Sequence, residues 1–108
     1  PNPIEELKRL LKLHRVYSLI DESEDKLTKG DFEDAMLAVK KAITLDPNID
    51  DAYIDLGILS LKLGKKKEAI EAFRKALRLN PKMKKLIKQL PNAGLMEPNE
   101  EIFTELGI

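Results

Sequence analysis

A period of 34 residues constrains this chain more than any other feature of its sequence. When the sequence is shifted by 34 positions, residues 16–49 align with residues 50–83, and ten positions are identical. A period of this length is typical of proteins built by stacking one supersecondary unit on the next. The identical pairs are Ile20/Ile54, Asp21/Asp55, Leu27/Leu61, Gly30/Gly64, Ala35/Ala69, Ala38/Ala72, Lys41/Lys75, Ala42/Ala76, Leu45/Leu79 and Pro47/Pro81.

The identical residues predict two helices and a tight turn in each unit. Gly30 and Gly64 stand where a helix must stop, because glycine adopts the left-handed cap conformation without a Cβ penalty. The alanines recur at i, i+3 and i+7, which places them on one helix face that a neighbouring helix can approach closely. Pro47 and Pro81 end the second helix, since proline forces its predecessor out of helical geometry. The chain is therefore predicted to be all-α, with antiparallel helix–turn–helix repeats.

The segments outside the repeats are expected to complete the stack, because one repeat unit cannot bury its apolar face alone. Asn2 is predicted to cap a helix whose first position is Pro3. No glycine or proline interrupts residues 4–29, so this helix is predicted to run directly into the first repeat helix. We expect six or seven helices and no strand. The expected later elements are helices over Lys84–Leu90 and about Pro98–Leu106, with a turn at Pro91–Gly94.

Both units also carry large and small residues at positions that are characteristic of a known repeat. They are Tyr53, Leu56, Gly57, Ala69, Phe73, Ala76 and Pro81 in the second unit, and Gly30, Phe32, Ala35, Ala42 and Pro47 in the first. With this spacing, residues 16–83 resemble the tetratricopeptide repeat. The first unit departs from the family pattern at Leu19, Glu22 and Lys26. We divide the chain, a single domain of residues 1–108, into an N-terminal helix (1–15), a degenerate repeat (16–49), a second repeat (50–83) and capping helices (84–108).

The resemblance implies a short right-handed α-solenoid whose first helices line a groove for an extended peptide or a helix of another protein. By position, the groove would be lined by Tyr17, Ile20, Asp21, Glu24 and Leu27 of the first unit, and by Asp51, Ile54, Asp55, Ile58, Leu61 and Lys62 of the second. Chaperone-binding members of the family hold a terminal carboxylate with lysine and asparagine. The corresponding positions here are Ile20, Glu24 and Asp55, which would repel a carboxylate. The expected partner therefore carries apolar anchors and basic residues.

One apolar stripe has two interpretations. Ile54, Ile58 and Leu61 share a helix face at i, i+4 and i+7, and packing within their own unit does not require this face. The stripe is either offered to a partner or covered by the end of the chain. The residues that could cover it are Leu95, Met96, Ile102 and Phe103.

Charge is distributed unevenly along the chain, although the formal net charge is zero. From Asp21 to Asp55 there are eleven acidic and four basic residues, a net charge of −7. From Lys62 to Lys88 there are eleven basic and two acidic residues, a net charge of +9. This asymmetry favours an alternative function, head-to-tail self-association into homo-oligomers. Nucleic acid is not the expected partner, because Phe73, the one aromatic residue of the basic stretch, is assigned to the core and no stacking platform remains.

Nothing in the sequence predicts catalysis, a cofactor or a metal site. His14 is the one histidine and has no second ligand at metal-binding spacing, so we expect a structural role for it. The acidic run Asp21–Asp25 lacks the glycine and the closing glutamate of a calcium loop and lies within a helical pattern. The absence of cysteine excludes thiolate nucleophiles. With no signal-peptide pattern and no apolar run of membrane-spanning length, the cytoplasm is the default expectation.

Overall fold

The computed structural model describes residues 2–108 as six α-helices, and these residues include no strand. The helices are α1 (Pro3–Lys29), α2 (Phe32–Leu45), α3 (Asp50–Lys62), α4 (Lys66–Leu79), α5 (Met83–Gln89) and α6 (Glu100–Leu106). α1 packs against α2, α3 packs against α4, and α2 contacts α3, so two helical hairpins are stacked. The short helices α5 and α6 both contact α4. The predicted all-α repeat stack is confirmed, in an elongated body of 49 × 29 × 21 Å.

The ends of the first helices are set by residues that the sequence identified. The Asn2 side chain caps α1 and accepts a hydrogen bond from the Ile4 backbone N–H at 2.9 Å. Gly30 follows α1 with φ 84°, and Gly64 lies in the turn after α3 with φ 75°. Both angles belong to the left-handed region that favours glycine. The prediction of one helix through residues 4–29 is confirmed.

The last helix begins later than predicted. The sequence suggested a start near Pro98, whereas α6 starts at Glu100. The reason is the cap: the Asn99 side chain accepts a hydrogen bond from the Ile102 backbone N–H at 3.2 Å. The predicted turn at residues 91–94 is confirmed.

α3 lies between two apolar clusters and is buried along most of its length. The first cluster joins α1, α2 and α3 through Val16, Ile20, Ala35, Met36, Val39, Ala42, Ala52 and Leu59. The second joins α3 and α4 to the C-terminal segment (residues 83–108) through Tyr53, Ile54, Ile58, Ala69, Phe73, Ala76, Ile87, Leu90, Met96 and Ile102. α3 therefore connects the two hairpins and also supports the end of the chain.

Gly57 allows α3 and α4 to approach closely. The Phe73 ring is 0% exposed and lies against the Gly57 backbone. A Cβ atom on Gly57 would lie 2.6 Å from Cδ1 and 2.7 Å from Cζ of that ring, closer than real Cβ contacts. The ring thus occupies the space of a side chain on α3, and the assignment of Phe73 to the core is confirmed.

The beginning of α1 carries an apolar stripe that no described residue covers. Ile4, Leu7, Leu10 and Leu11 are between 50% and 63% exposed. We call these four residues the N-terminal stripe. Residues from Pro3 to Lys12 are all exposed, so this part of α1 extends beyond the body of the stack. Among the helices of residues 2–108, none has the length and apolar character needed to cross a membrane.

Candidate functional site

A groove of about 310 Å³ lies between α1, α3 and the C-terminal segment. α1 contributes Glu24, Leu27 and Thr28, α3 contributes Asp51, Ile54, Asp55 and Ile58, and the C-terminal segment contributes Leu86, Leu90 and Leu95. Three of these residues carry carboxyl groups, and none of the described lining residues is basic. We call this site the acidic groove.

The structure brings six of the eleven predicted site residues together in the acidic groove: Glu24, Leu27, Asp51, Ile54, Asp55 and Ile58. Leu61 and Lys62 line a separate cleft of about 290 Å³. Leu95 lines both spaces, so the C-terminal segment separates them.

The other three predicted site residues lie on α1 outside the acidic groove. Tyr17 and Asp21 are exposed. Ile20 is 3% exposed, packs into the cluster between α1, α2 and α3, and does not line the groove.

The C-terminal segment covers the apolar stripe of α3. Ile54 is 4% exposed and Ile58 is 2% exposed, and both share a cluster with Met96 and Ile102. Of the two interpretations that the sequence left open for this stripe, the structure supports cover by the chain itself. The two isoleucines belong to the core and present only an edge to the groove.

Two exposed polar contacts join α4 to α6, in addition to the apolar cluster that packs the C-terminal segment against α3 and α4. The Lys66 ammonium pairs with the Glu101 carboxylate. The Arg74 guanidinium donates a hydrogen bond to the Glu105 carbonyl oxygen at 3.0 Å.

Four lining residues, Thr28, Leu86, Leu90 and Leu95, were not among the predicted site residues, and Leu95 was named only as possible cover for the stripe of α3. Leu86 and Leu90 stand at i and i+4, which signals an apolar helix face but does not indicate which part of the stack that face meets. Thr28 gave no signal in the sequence. Its hydroxyl donates to the Glu24 carbonyl oxygen at 3.0 Å.

Two hydrogen bonds position the start of α3 and hence Asp51. The Tyr53 hydroxyl donates to the Pro47 carbonyl oxygen at 2.7 Å. The Asn80 side-chain amide donates to Asp50 Oδ2 at 2.8 Å and thereby ties the end of α4 to the start of α3. The carboxyl groups on α3 are thus carried by a fixed element.

Burial keeps Asp55 protonated near neutral pH. Asp55 is 7% exposed, and its Oδ2 receives no hydrogen bond from the described residues. Burial, a hydrogen bond with Glu24 and the charges of Glu24 and Asp51 raise the pKa of Asp55 to about 9. A protonated Asp55 can donate a hydrogen bond to the Glu24 side chain.

Asp51 also becomes harder to ionise on folding. Burial raises the pKa of Asp51, and the charges of Asp50 and Glu24 raise it further. Two of the three carboxyl groups of the acidic groove, those of Asp51 and Asp55, therefore ionise less readily than a free carboxyl group.

The remaining candidate residues for chemistry lie apart from one another. His14 is exposed on α1. In the acidic run Asp21–Asp25, Ser23 is buried and its hydroxyl donates to the Ala35 carbonyl oxygen at 2.9 Å, while the four acidic residues are exposed. Within residues 2–108, no three metal-ligating side chains are grouped closely enough to hold an ion. What the acidic groove offers is apolar contact and negative charge.

Comparison with known proteins identifies the repeats. A family model described as tetratricopeptide repeat matches residues 50–83, and a second model with the same description matches residues 26–49. Together the matches cover more than half of the chain. The match to the first unit begins at Lys26, after the departures at Leu19 and Glu22. The search among curated proteins found no match.

Proposed function

Because the chain belongs to the tetratricopeptide repeat family, whose repeats mediate protein–protein interaction, we propose that it is a non-catalytic adaptor that holds a segment of a partner in the acidic groove. The observation that carries the proposal is one groove with apolar walls and three carboxyl groups where the two repeats meet. Its volume of about 310 Å³ is at the lower end for ligand sites, which suits the side chains of a peptide or helix.

A partner with basic residues and apolar anchors fits the groove. Glu24 and Asp51 line the groove and are only partly buried, whereas Asp21 lies outside it. Leu86, which is 41% exposed, offers an accessible apolar wall. Complementary charge accelerates encounter and suppresses wrong partners. A partner that ends in a carboxylate would meet only like charge here.

Charge reversal in the groove is expected to weaken partner binding. Glu24→Lys with Asp51→Lys replaces two exposed carboxylates, so we expect an intact fold and an affinity reduced by roughly tenfold or more, or about 1.4 kcal/mol. Short random peptides displayed on phage would be selected on the unmodified protein. Fluorescence polarisation would then give the affinity of enriched peptides for each variant.

The matched control is Glu33→Lys with Asp34→Lys. These two acidic residues lie in the first turn of α2, are exposed and do not line the groove. The control changes the net charge by the same amount. Because its two residues lie outside the groove, its affinity for the peptides should stay close to that of the unmodified protein. An equal loss in both variants would show that total charge, not the groove, governs binding.

Self-association is a second candidate function, and the exposed N-terminal stripe favours it. Clusters of large exposed apolar residues commonly mark protein interaction surfaces. Glu5 and Glu6 lie near one end of this part of α1, and Lys12 and Arg15 lie near the other. Antiparallel pairing with a second copy would bring the acidic end of each helix beside the basic end of its partner.

Sedimentation velocity at about 0.1 M and 1 M salt would test this candidate. Pairing through the N-terminal stripe should survive high salt, because apolar contacts are not screened. It should be lost in a Leu7→Lys, Leu11→Lys variant. Association that disappears at 1 M salt and persists in the variant would instead indicate contact between the oppositely charged parts of the chain. A monomer under all conditions would eliminate the candidate.

A further inference from the structure

The acidic groove contains a carboxyl group of which one oxygen lacks a hydrogen-bond donor. Asp55 is more than nine-tenths buried, lines the groove and has an Oδ2 atom that receives no hydrogen bond from the described residues. A buried acceptor without a partner costs about 1–3 kcal/mol. Glu24 and Asp51 flank it from two different helices. The hydroxyl of Thr28, another lining group, is already bonded to the backbone.

We infer that the acidic groove is a subsite for a single lysine side chain of the bound partner. This inference rests on the proposed function and specifies which residue the partner must supply. The ammonium group would donate hydrogen bonds to the carboxyl groups of Glu24, Asp51 and Asp55. The methylene stem would lie against the apolar walls, since lysine combines a long apolar stem with a charged tip. Those walls are Leu27, Ile54 and Leu86.

The arrangement of the carboxyl groups favours lysine over arginine. An ammonium is a compact charge with three donors that can point to three acceptors. A guanidinium is a planar fork that matches one carboxylate with two parallel bonds. The acidic groove presents three separate carboxyl groups on two helices, which fits the compact charge.

The spacing of the groups also favours an organic cation over a metal ion. Calcium needs six to eight oxygen atoms at about 2.3–2.6 Å. The carboxyl groups among the described residues are not grouped that closely. Hydrogen bonds from an ammonium group span about 2.7–2.9 Å, so they tolerate a wider site.

Lysine binding should depend on pH in a way that distinguishes this site. The pKa of Asp55 in the empty groove is raised to about 9, so the group is neutral at pH 7. An ammonium nearby favours the carboxylate, so binding releases the Asp55 proton to solvent. Affinity should therefore increase as the pH rises towards about 9. Among the residues that the structure describes, the charged groups lining the groove with Asp55 are Glu24 of α1 and Asp51 of α3, and the C-terminal segment contributes leucines.

The test is an NMR titration of the protein with Nα-acetyl-lysine methylamide, which has no charge except its ammonium. We expect saturable shifts at the backbone amides of residues 24–28 and 51–58, with a dissociation constant on the order of millimolar. The matching norleucine and arginine amides should bind roughly tenfold more weakly or worse. Asp55→Asn should weaken lysine binding by a similar factor and reduce its pH dependence. Asp21→Asn removes an exposed carboxylate outside the groove. It should change neither the affinity for the lysine amide nor the pH dependence of that affinity.

Several results would overturn the lysine assignment. They are equal binding of the norleucine or arginine compound, shifts confined to other surfaces, and an equal effect of Asp21→Asn. The selection of phage peptides separates this inference from the proposed function. In one outcome, the selected peptides do not bind the Glu24→Lys, Asp51→Lys variant, and the lysine amide does not bind the unmodified protein. The adaptor function then stands and the lysine subsite is wrong. If the peptides bind both proteins equally, the proposed function fails as well.

Discussion

Phe73→Ala is expected to lower the free energy of unfolding by about 3–5 kcal/mol, the usual loss for a buried phenylalanine. Phe73 is 0% exposed and lies in the cluster that joins α3, α4 and the C-terminal segment. A domain of this size has about 5–15 kcal/mol in total, so the variant should be close to unfolding. Urea titration followed by circular dichroism would measure the change. Leu37→Ala, at a residue that is 60% exposed on α2, is the control and should change little.

The same contact makes an apparently favourable substitution harmful. Gly57→Ala would improve helix propensity by about 1 kcal/mol. The added Cβ would nevertheless meet the Phe73 ring, and overpacking costs about 1–3 kcal/mol. We expect a net loss that is partly relieved when Phe73→Leu provides space. If Gly57→Ala stabilises the protein, α3 and α4 are not in the close contact described above.

Asp55→Asn is expected to stabilise the protein at pH 8, by up to about 5 kcal/mol, and to flatten its dependence on pH. An unfolded aspartate has a pKa of about 3.9. Burial and the neighbouring acidic groups raise the pKa of Asp55 to about 9 in the folded protein. The stability linked to the protonated form is present below pH 4. This stability is lost as the pH increases from about 4 to about 9, by up to about 1.4 kcal/mol per pH unit.

Urea titrations at pH 5, 6, 7 and 8 would check the expected slope. The unmodified protein should lose stability with increasing pH, and the raised pKa of Asp51 should contribute in the same direction. Asparagine stays neutral at every pH, so its variant should show a weaker slope. Asp21→Asn, at an exposed position, should leave the slope unchanged. A slope of equal size in the unmodified protein and in Asp55→Asn would contradict the burial of an ionisable group.

The two predictions about Asp55 have opposite signs for stability and for binding. Asp55→Asn should strengthen the fold, whereas it should weaken lysine binding. A loss of binding in this variant therefore cannot result from unfolding. It would indicate that the carboxyl group destabilises the empty protein in exchange for recognition, as functional sites often do.

The repeats could be predicted from the sequence because their determinants are local. Gly30 and Gly64 end helices through a backbone angle, and Asn2 begins one through a hydrogen bond to a residue two positions away. The start of α6 was predicted less well, since both Pro98 and Asn99 can begin a helix and the Asn99 side chain decides between them. Features that depend on neighbours within one turn are visible in the sequence.

The acidic groove was predicted only in part because its third wall comes from distant residues. Helix spacing places Ile54 and Ile58 on the groove face, but their burial depends on the docking of Leu90, Met96 and Ile102. The sequence pattern shows that these residues are apolar, but it does not show where they pack. The same limitation explains why Asp55 was expected to be accessible. Its burial follows from the cover over α3, which no local pattern encodes.

One uninterrupted helix carries both the N-terminal stripe and a wall of the acidic groove. α1 has no break between Ile4 and Glu24, a distance of about 30 Å along its axis. The projecting end of α1 and the groove wall are therefore parts of one continuous helix, and a partner bound at one surface would stand about 30 Å from a partner bound at the other.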